Sequence, residues 1–138
     1  MACDYKDLKV VIKSIKTGDY TNSYMVVEVK ASIDDFISSF TSRKQRKDGS
    51  EYKRMESQLE RLLAIDKPIK IILINGSMKD AYSRVHPNSI RGMIASIICQ
   101  GITVLWTDDP DWPEMVYRLH RKSLKYGSVF DKKRGVKA

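Results

Sequence analysis

The stretch Tyr24-Met25-Val26-Val27-Glu28-Val29-Lys30 divides by parity. Met25, Val27 and Val29 form an apolar face, and Val26, Glu28 and Lys30 share the other, because successive strand side chains point to opposite sides. Residues 8–15 read as a preceding strand, with Val10 and Ile12 on one face and Val11 and Ile15 on the other. Thr17-Gly18-Asp19 breaks that strand and Asn22 adds a second turn signal, so the two strands are expected to form an antiparallel hairpin. Asp19 then lies near one end of the pair, and its register against Glu28 is left open. Ile33, Phe36, Ile37 and Phe40 recur at helical spacing behind Ser32 as N-cap, and Asp34 and Asp35 fall in the first turn, where the helix dipole favours acids.

Further along, residues 51–65 predict a helix buried through Tyr52, Met55, Leu59, Leu62 and Leu63. The apolar run 69–74 reads as a strand covered on both faces, closed by Asn75-Gly76. Pro87-Asn88-Ser89 opens a helix with Ile90, Met93, Ile94, Ile97 and Ile98 as its stripe, and Gly101 stops it. Residues 102–106 form another buried strand, and Trp112-Pro113 leads into a helix through about Lys125. Residues 41–50 are the most polar stretch and read as a solvated loop, and the tail beyond Gly127 reads as basic and frayed. A hairpin followed by alternating helices and strands predicts an α/β domain with a mixed central sheet flanked by helices.

Composition narrows the function. A length of 138 residues suits one domain spanning 1–138, with a core at about 8–126 and a basic tail at 127–138. Lysine and arginine outnumber the acids 25 to 17, a formal charge of +8 that favours an anionic partner, with nucleic acid first among candidates. Cys3 and Cys99 match neither a disulfide framework nor a zinc spacing, so reduced thiols are expected. Lys6, Asp7 and Lys9 interrupt the opening residues before an apolar run forms, so neither a secretion signal nor a membrane span is expected. The expected location is cytoplasmic, nucleoid-associated in a prokaryote or nuclear in a eukaryote.

Against that background Glu28 and Lys30 stand out, since an acid and an ammonium on an otherwise apolar strand are costly to bury unless they pair or bind something. From these two residues alone, an ion pair at a sheet edge is the favoured reading. The alternative is a divalent-metal site, with Asp19 and Glu28 as hard oxygen ligands and Lys30 holding a water or a phosphate oxygen. Asp34 is fully accounted for as a first-turn acid and gains interest only from its neighbours. Arg43, Lys44, Arg46 and Lys47 make the 41–50 stretch either a solvated loop or an arm that touches phosphates. A nucleotide-binding enzyme of another class would call for a glycine-rich phosphate loop, which the sequence lacks.

Gly18-Asp19, then Glu28-Val29-Lys30-Ala31-Ser32-Ile33-Asp34, resembles the G-D…E-R-K-x-x-x-D motif of XPF-type structure-specific endonucleases, which include the archaeal Hef and XPF nucleases. Arg54-Met55-Glu56-Ser57-Gln58 is similar to that family's R-x-x-x-Q helix, and Asn88-Ser89-Ile90-Arg91-Gly92 to its N-A-I-R-G segment. The resemblance covers roughly residues 8–125. It implies a restriction-endonuclease-like fold and a Mg²⁺- or Mn²⁺-dependent endonuclease acting on flap, fork or other branched DNA. It implies Asp19 and Glu28 as metal ligands, Lys30 at the water or scissile phosphate, and Asp34 in support.

Three departures stand out. Val29 replaces the motif's arginine, and by strand alternation it belongs to the packing face. Asp4-Tyr5-Lys6-Asp7 only faintly echoes the family's opening D-x-R-E. No helix-hairpin-helix domain is expected from these residues, which turns attention to the 41–50 stretch and to Arg54, Arg84 and Arg91 as DNA contacts. Because the family includes inactive partners, the alternative function is a non-catalytic DNA-binding or dimerisation subunit. Relatives commonly dimerise through C-terminal helices, and Met115, Val116, Leu119 and Leu124 are the stripe such a homodimer or heterodimer would use.

Overall fold

The computed structural model describes residues 19–41, 43–45 and 51–133, with the backbone alone at 19, 40, 43–45, 51–53, 132 and 133. The predicted strand at 8–15 lies outside the described residues, as do Gly18, Arg46 and Lys47. In chain order the elements are β1 (Asp19–Thr21), β2 (Met25–Lys30), α1 (Ile33–Thr41), β3 (Arg43–Gln45), β4 (Glu51–Lys53) and α2 (Arg54–Ala64). They continue with β5 (Ile69–Ile74), α3 (Met78–Tyr82), α4 (Pro87–Cys99), β6 (Thr103–Trp106), α5 (Trp112–Tyr126) and α6 (Ser128–Lys133).

The main sheet runs β1-β2-β5-β6, antiparallel between β1 and β2 and parallel across β2-β5 and β5-β6. Parallel neighbours need long crossovers, and α1 with α2 fills the first while α3 with α4 fills the second. Alternation then sorts the core. Val26, Ile72 and Ile74 pack with Ile33 and Phe36 of α1, Met55, Leu59 and Leu62 of α2, and Ile90 and Ile97 of α4. Met25, Val27, Val29, Ile71 and Leu73 pack on the opposite side against Val116 and Tyr117 of α5. The mixed sheet between helices is the predicted α/β arrangement, and Val29 fills core on the α5 side as its parity requires.

Local chemistry fixes the joints. Asn22 Oδ1 accepts from the Tyr24 and Met25 amides at 2.9 and 3.0 Å, making the turn between β1 and β2. Ser32 Oγ accepts from the Asp35 amide at 3.1 Å, capping α1 as expected. A Cβ at Gly76 would collide with the Ile33 side chain, so glycine after β5 lets α1 seat on the sheet. Tyr20 and His120 share a side-chain hydrogen bond that joins β1 to α5.

Several expectations change. Asp19 is a residue of β1 and not part of a break, because pairing with β2 continues to that position. β2 is an interior strand, covered by β1 and β5, so Glu28 and Lys30 do not sit on a sheet edge. Part of the expected 41–50 loop is strand: β3 pairs antiparallel with β4, Arg43 opposite Lys53 and Gln45 opposite Glu51. Backbone pairing does not need apolar side chains, and Asp48-Gly49 between the two strands is a hairpin turn signal. β4 takes the first residues assigned to the 51–65 helix, which begins instead at Arg54.

The helical stripes are narrower than predicted, since Leu63 and Ile98 are exposed. The start of the basic tail is the short helix α6, where the Tyr24 hydroxyl donates to Asp131 Oδ2 at 2.8 Å. Among the described residues no helix is long and apolar enough to cross a membrane.

Candidate active site on the helix-covered face of β2

β2 carries Glu28 and Lys30 two residues apart, so both project toward α1 and α2, on the side opposite Val27 and Val29. Glu28 is 6% exposed and Lys30 is 3% exposed. A buried ion must be compensated locally, since desolvation costs several kcal/mol per charge, as an order of magnitude. The compensation is visible atom by atom. Glu28 Oε2 accepts from Arg61 Nη2 of α2 at 2.7 Å, and Glu28 Oε1 lies 3.8 Å from Lys30 Nζ. Lys30 Nζ donates to Gln58 Oε1 at 2.6 Å and to Ser39 Oγ at 2.9 Å. Ser39 in turn donates to the Asp35 carbonyl at 3.1 Å. Among the described residues no buried side-chain nitrogen or oxygen is left without a partner.

The predicted Glu28–Lys30 ion pair therefore exists, but neither residue has the other as its tightest partner. Burial pushes the Lys30 ammonium below its ordinary pKa. The charges of Glu28 and Asp35 oppose that shift, and those of Arg54 and Arg61 add to it. The lysine is thus held by directed neutral acceptors from two helices, a setting that fixes the position of its nitrogen.

Register supplies the geometry that the sequence left open. Asp19 is the direct antiparallel partner of Glu28, and such partner positions lie on one face with Cβ atoms about 4.5–5.5 Å apart. Carboxylate residues at such partner positions, beside a fixed ammonium, are of the hard-oxygen type that would suit Mg²⁺ or Mn²⁺. The Glu28 carboxylate supplies hard oxygens of the kind such an ion takes, although Arg61 and Lys30 compete with the ion for their charge. Among the described residues no group of three His, Cys, Asp or Glu side chains gathers as a metal set.

The other predicted residues lie elsewhere. Asp34, with a side chain 73% exposed, forms an ion pair with Arg84. The acid of the same helical turn whose charge acts on Lys30 is Asp35. Arg84 is thereby engaged, and the Arg91 guanidinium lies 5.0 Å from the Tyr82 ring centroid and 3.3 Å from Asn88 Oδ1. Arg54 opens α2. Arg43 and Lys44 occupy β3.

Three residues of the cluster were missed as site residues: Gln58, Ser39 and Arg61. Gln58 had a signal, since it closes the Arg54-x-x-x-Gln58 spacing and lies one helical turn from Arg54 and three residues before Arg61. Ser39 and Arg61 had none, because a serine and an arginine on amphipathic helices read as solvent-facing.

The ERCC4 domain matches residues 1–119. The chain is also 30% identical over 103 residues to the protein named "Putative ATP-dependent RNA helicase MJ1505" of Methanocaldococcus jannaschii. That alignment covers 74% of this chain and 11% of the relative, so the chain spans about a tenth of the relative's length.

Proposed function

The chain belongs to the ERCC4 domain family, whose nuclease domains have the restriction-endonuclease-like fold, and from that premise we propose that it is a divalent-metal-dependent endonuclease acting on flap, fork or other branched DNA. The observation that carries the reading is the buried Glu28–Lys30 cluster on β2 with Asp19 directly across the ladder. A buried ionic cluster of this kind, with a lysine whose titration is perturbed by burial, marks a functional-site candidate.

Asp19 and Glu28 hold Mg²⁺ or Mn²⁺ in this reading. When bound, that ion supplies a water of lowered pKa and charge neutralisation at the reacting phosphate. Glu28 contributes a carboxylate already oriented by its cationic partners. Lys30 contributes an ammonium whose nitrogen is fixed by Gln58 and Ser39. An ammonium has three N–H donors, and with two committed to these acceptors the third is directed toward Glu28 or a phosphate oxygen brought beside it. Preorganised donors aimed at developing charge are worth more than mobile ones because they need not reorganise during reaction.

Arg43, Lys44, Arg46, Lys47, Arg54, Arg84 and Arg91 supply positive charge for backbone phosphates, in keeping with the net charge of +8. Self-association through α5 would use a reduced surface: Val116 and Leu119 pack on the sheet, while Met115 and Leu124 stay exposed. At about 100° per residue, Met115 and Leu124 emerge on opposite flanks of the helix, so a dimer would be built around one flank. Sedimentation at tens of micromolar, about where a modest interface fills, separates dimer from monomer.

The test of the reading is cleavage of labelled duplex, single-stranded, flap and fork DNA with Mg²⁺, with Mn²⁺ and with chelator, beside Glu28→Gln prepared identically. Metal-dependent cutting of branched DNA that Glu28→Gln lacks is expected. Binding without cutting on every substrate and with both metals would instead identify a non-catalytic DNA-binding subunit.

A further inference from the structure

The two cations on Glu28 are not equivalent. Lys30 is 3% exposed, anchored by Gln58 and Ser39, and stands 3.8 Å from Glu28 Oε1, beyond hydrogen-bonding distance. Arg61 makes the short bond to Oε2 at 2.7 Å, yet its side chain is 53% exposed. It belongs to the last turn of α2 and reaches Glu28 from across the helix-covered face. Lys30 cannot retreat without breaking both of its directed hydrogen bonds to Gln58 and Ser39. Arg61 can release Oε2 toward solvent, where a guanidinium is readily hydrated. Of these two cations, Lys30 is fixed and Arg61 replaceable, and Arg61 covers the oxygen with the shorter contact.

We propose that Arg61 is the exchangeable counter-ion of Glu28: it neutralises Oε2 while the site holds no metal and yields that oxygen to a divalent cation. The inference rests on the metal-site reading above and extends it with a residue that sets affinity. Arg61 meets the charge on Glu28 Oε2 in the sheet interior, and by competing for the same oxygen it weakens divalent-ion binding. Its side chain, once released, stays beside the site as a donor for a DNA phosphate.

The test needs no DNA. Mn²⁺ is titrated calorimetrically into the wild-type protein, Arg61→Ala, Arg61→Lys, Glu28→Gln and the surface control Arg118→Ala. Arg118 pairs with Glu114 on α5 and shares the same unit charge. Arg61→Ala is expected to bind Mn²⁺ about three- to fivefold more tightly, the upper end of the scale of one partly exposed ion pair. Arg118→Ala should stay within about twofold of wild type, since a distant exposed charge is largely screened.

If wild type binds in a Glu28-dependent way and Arg61→Ala binds equally or more weakly, this inference fails while the metal site stands. If none of the variants binds Mn²⁺, both fail. Should Arg61→Ala not fold, the wild-type protein answers by NMR. The Arg61 Nε–Hε signal, assigned by its loss in Arg61→Lys, should shift and exchange faster with solvent as Mg²⁺ is added. A signal unchanged at saturating Mg²⁺ overturns the exchange.

Discussion

Replacing Lys30 by methionine asks whether the fold tolerates this ammonium or depends on it. The wild-type side chain gives up two charge-assisted hydrogen bonds on substitution, to Gln58 at 2.6 Å and Ser39 at 2.9 Å. Bonds to charged groups contribute about 1.5–3 kcal/mol each. Against this loss stands the removal of a desolvation penalty of several kcal/mol, as an order of magnitude. Glu28 keeps its short bond to Arg61, so it is not orphaned. The opposing terms are of similar size, and the expected net change is within about 1.5 kcal/mol at pH 7, small for an ion this deeply buried.

The pH dependence is more diagnostic. Burial lowers the folded-state pKa of Lys30 below its unfolded value of 10.5. Between those two pKa values the unfolded state binds more protons than the folded one, so stability rises with pH across that window. Below the folded pKa, the cost of burying the charge is fully present. Lys30→Met lacks this titration. The difference in urea-unfolding free energy, wild type minus variant, should therefore grow in favour of wild type as pH approaches 10.5. Loss of more than about 3 kcal/mol at pH 7, the usual scale for breaking a buried pair, with a difference independent of pH, would refute the reasoning.

Three other outcomes are expected. Neutralising Arg43, Lys44, Arg46 and Lys47 should weaken duplex, flap and fork binding alike, lowering the log–log salt slope by about 0.9 per lost phosphate contact; an unchanged slope assigns them to solvent. Asp34→Ala removes an exposed pair with Arg84 and should change stability by no more than about 1 kcal/mol, so a fall in cleavage without unfolding would place Asp34 in the reaction. Gly127→Ala puts a Cβ into the Tyr24 ring and the Ser123 carbonyl; an expected loss of about 1–3 kcal/mol in urea unfolding, with faster proteolysis of the C-terminal helix, checks that α6 is held there.

Much of the fold was legible because period and parity were strong. β5, α4 and α5 appear where apolar runs and helical stripes place them, and Glu28 and Lys30 share the face that alternation assigns, whereas β6, expected to be buried, is a half-exposed strand at the end of the sheet order. The parts that were not legible have physical reasons. β3 is three polar residues whose pairing comes from the backbone, so no apolar pattern marks it. α3 is five residues long, too short for a stripe to declare itself, and is started by Ser77 accepting from the Asp80 amide. Register is a long-range property, so the meeting of Asp19 with Glu28 could not be read from turn residues alone. Arg61 lies 33 positions from Glu28 in the chain, and nothing local distinguishes it from the solvent-facing charges of α2.

The central claim, that Asp19 and Glu28 face each other as the two halves of one metal site, is tested most directly by Asp19→Asn. The amide keeps the shape and removes the charge that attracts the ion. Cleavage of fork DNA in Mg²⁺ is measured beside DNA affinity in chelator and the urea-unfolding midpoint. The account predicts cleavage reduced by at least about a hundredfold, on the scale of losing one preorganised electrostatic contact to the transition state. Affinity and stability should stay near wild type. Undiminished Mg²⁺-dependent cleavage by Asp19→Asn would contradict it.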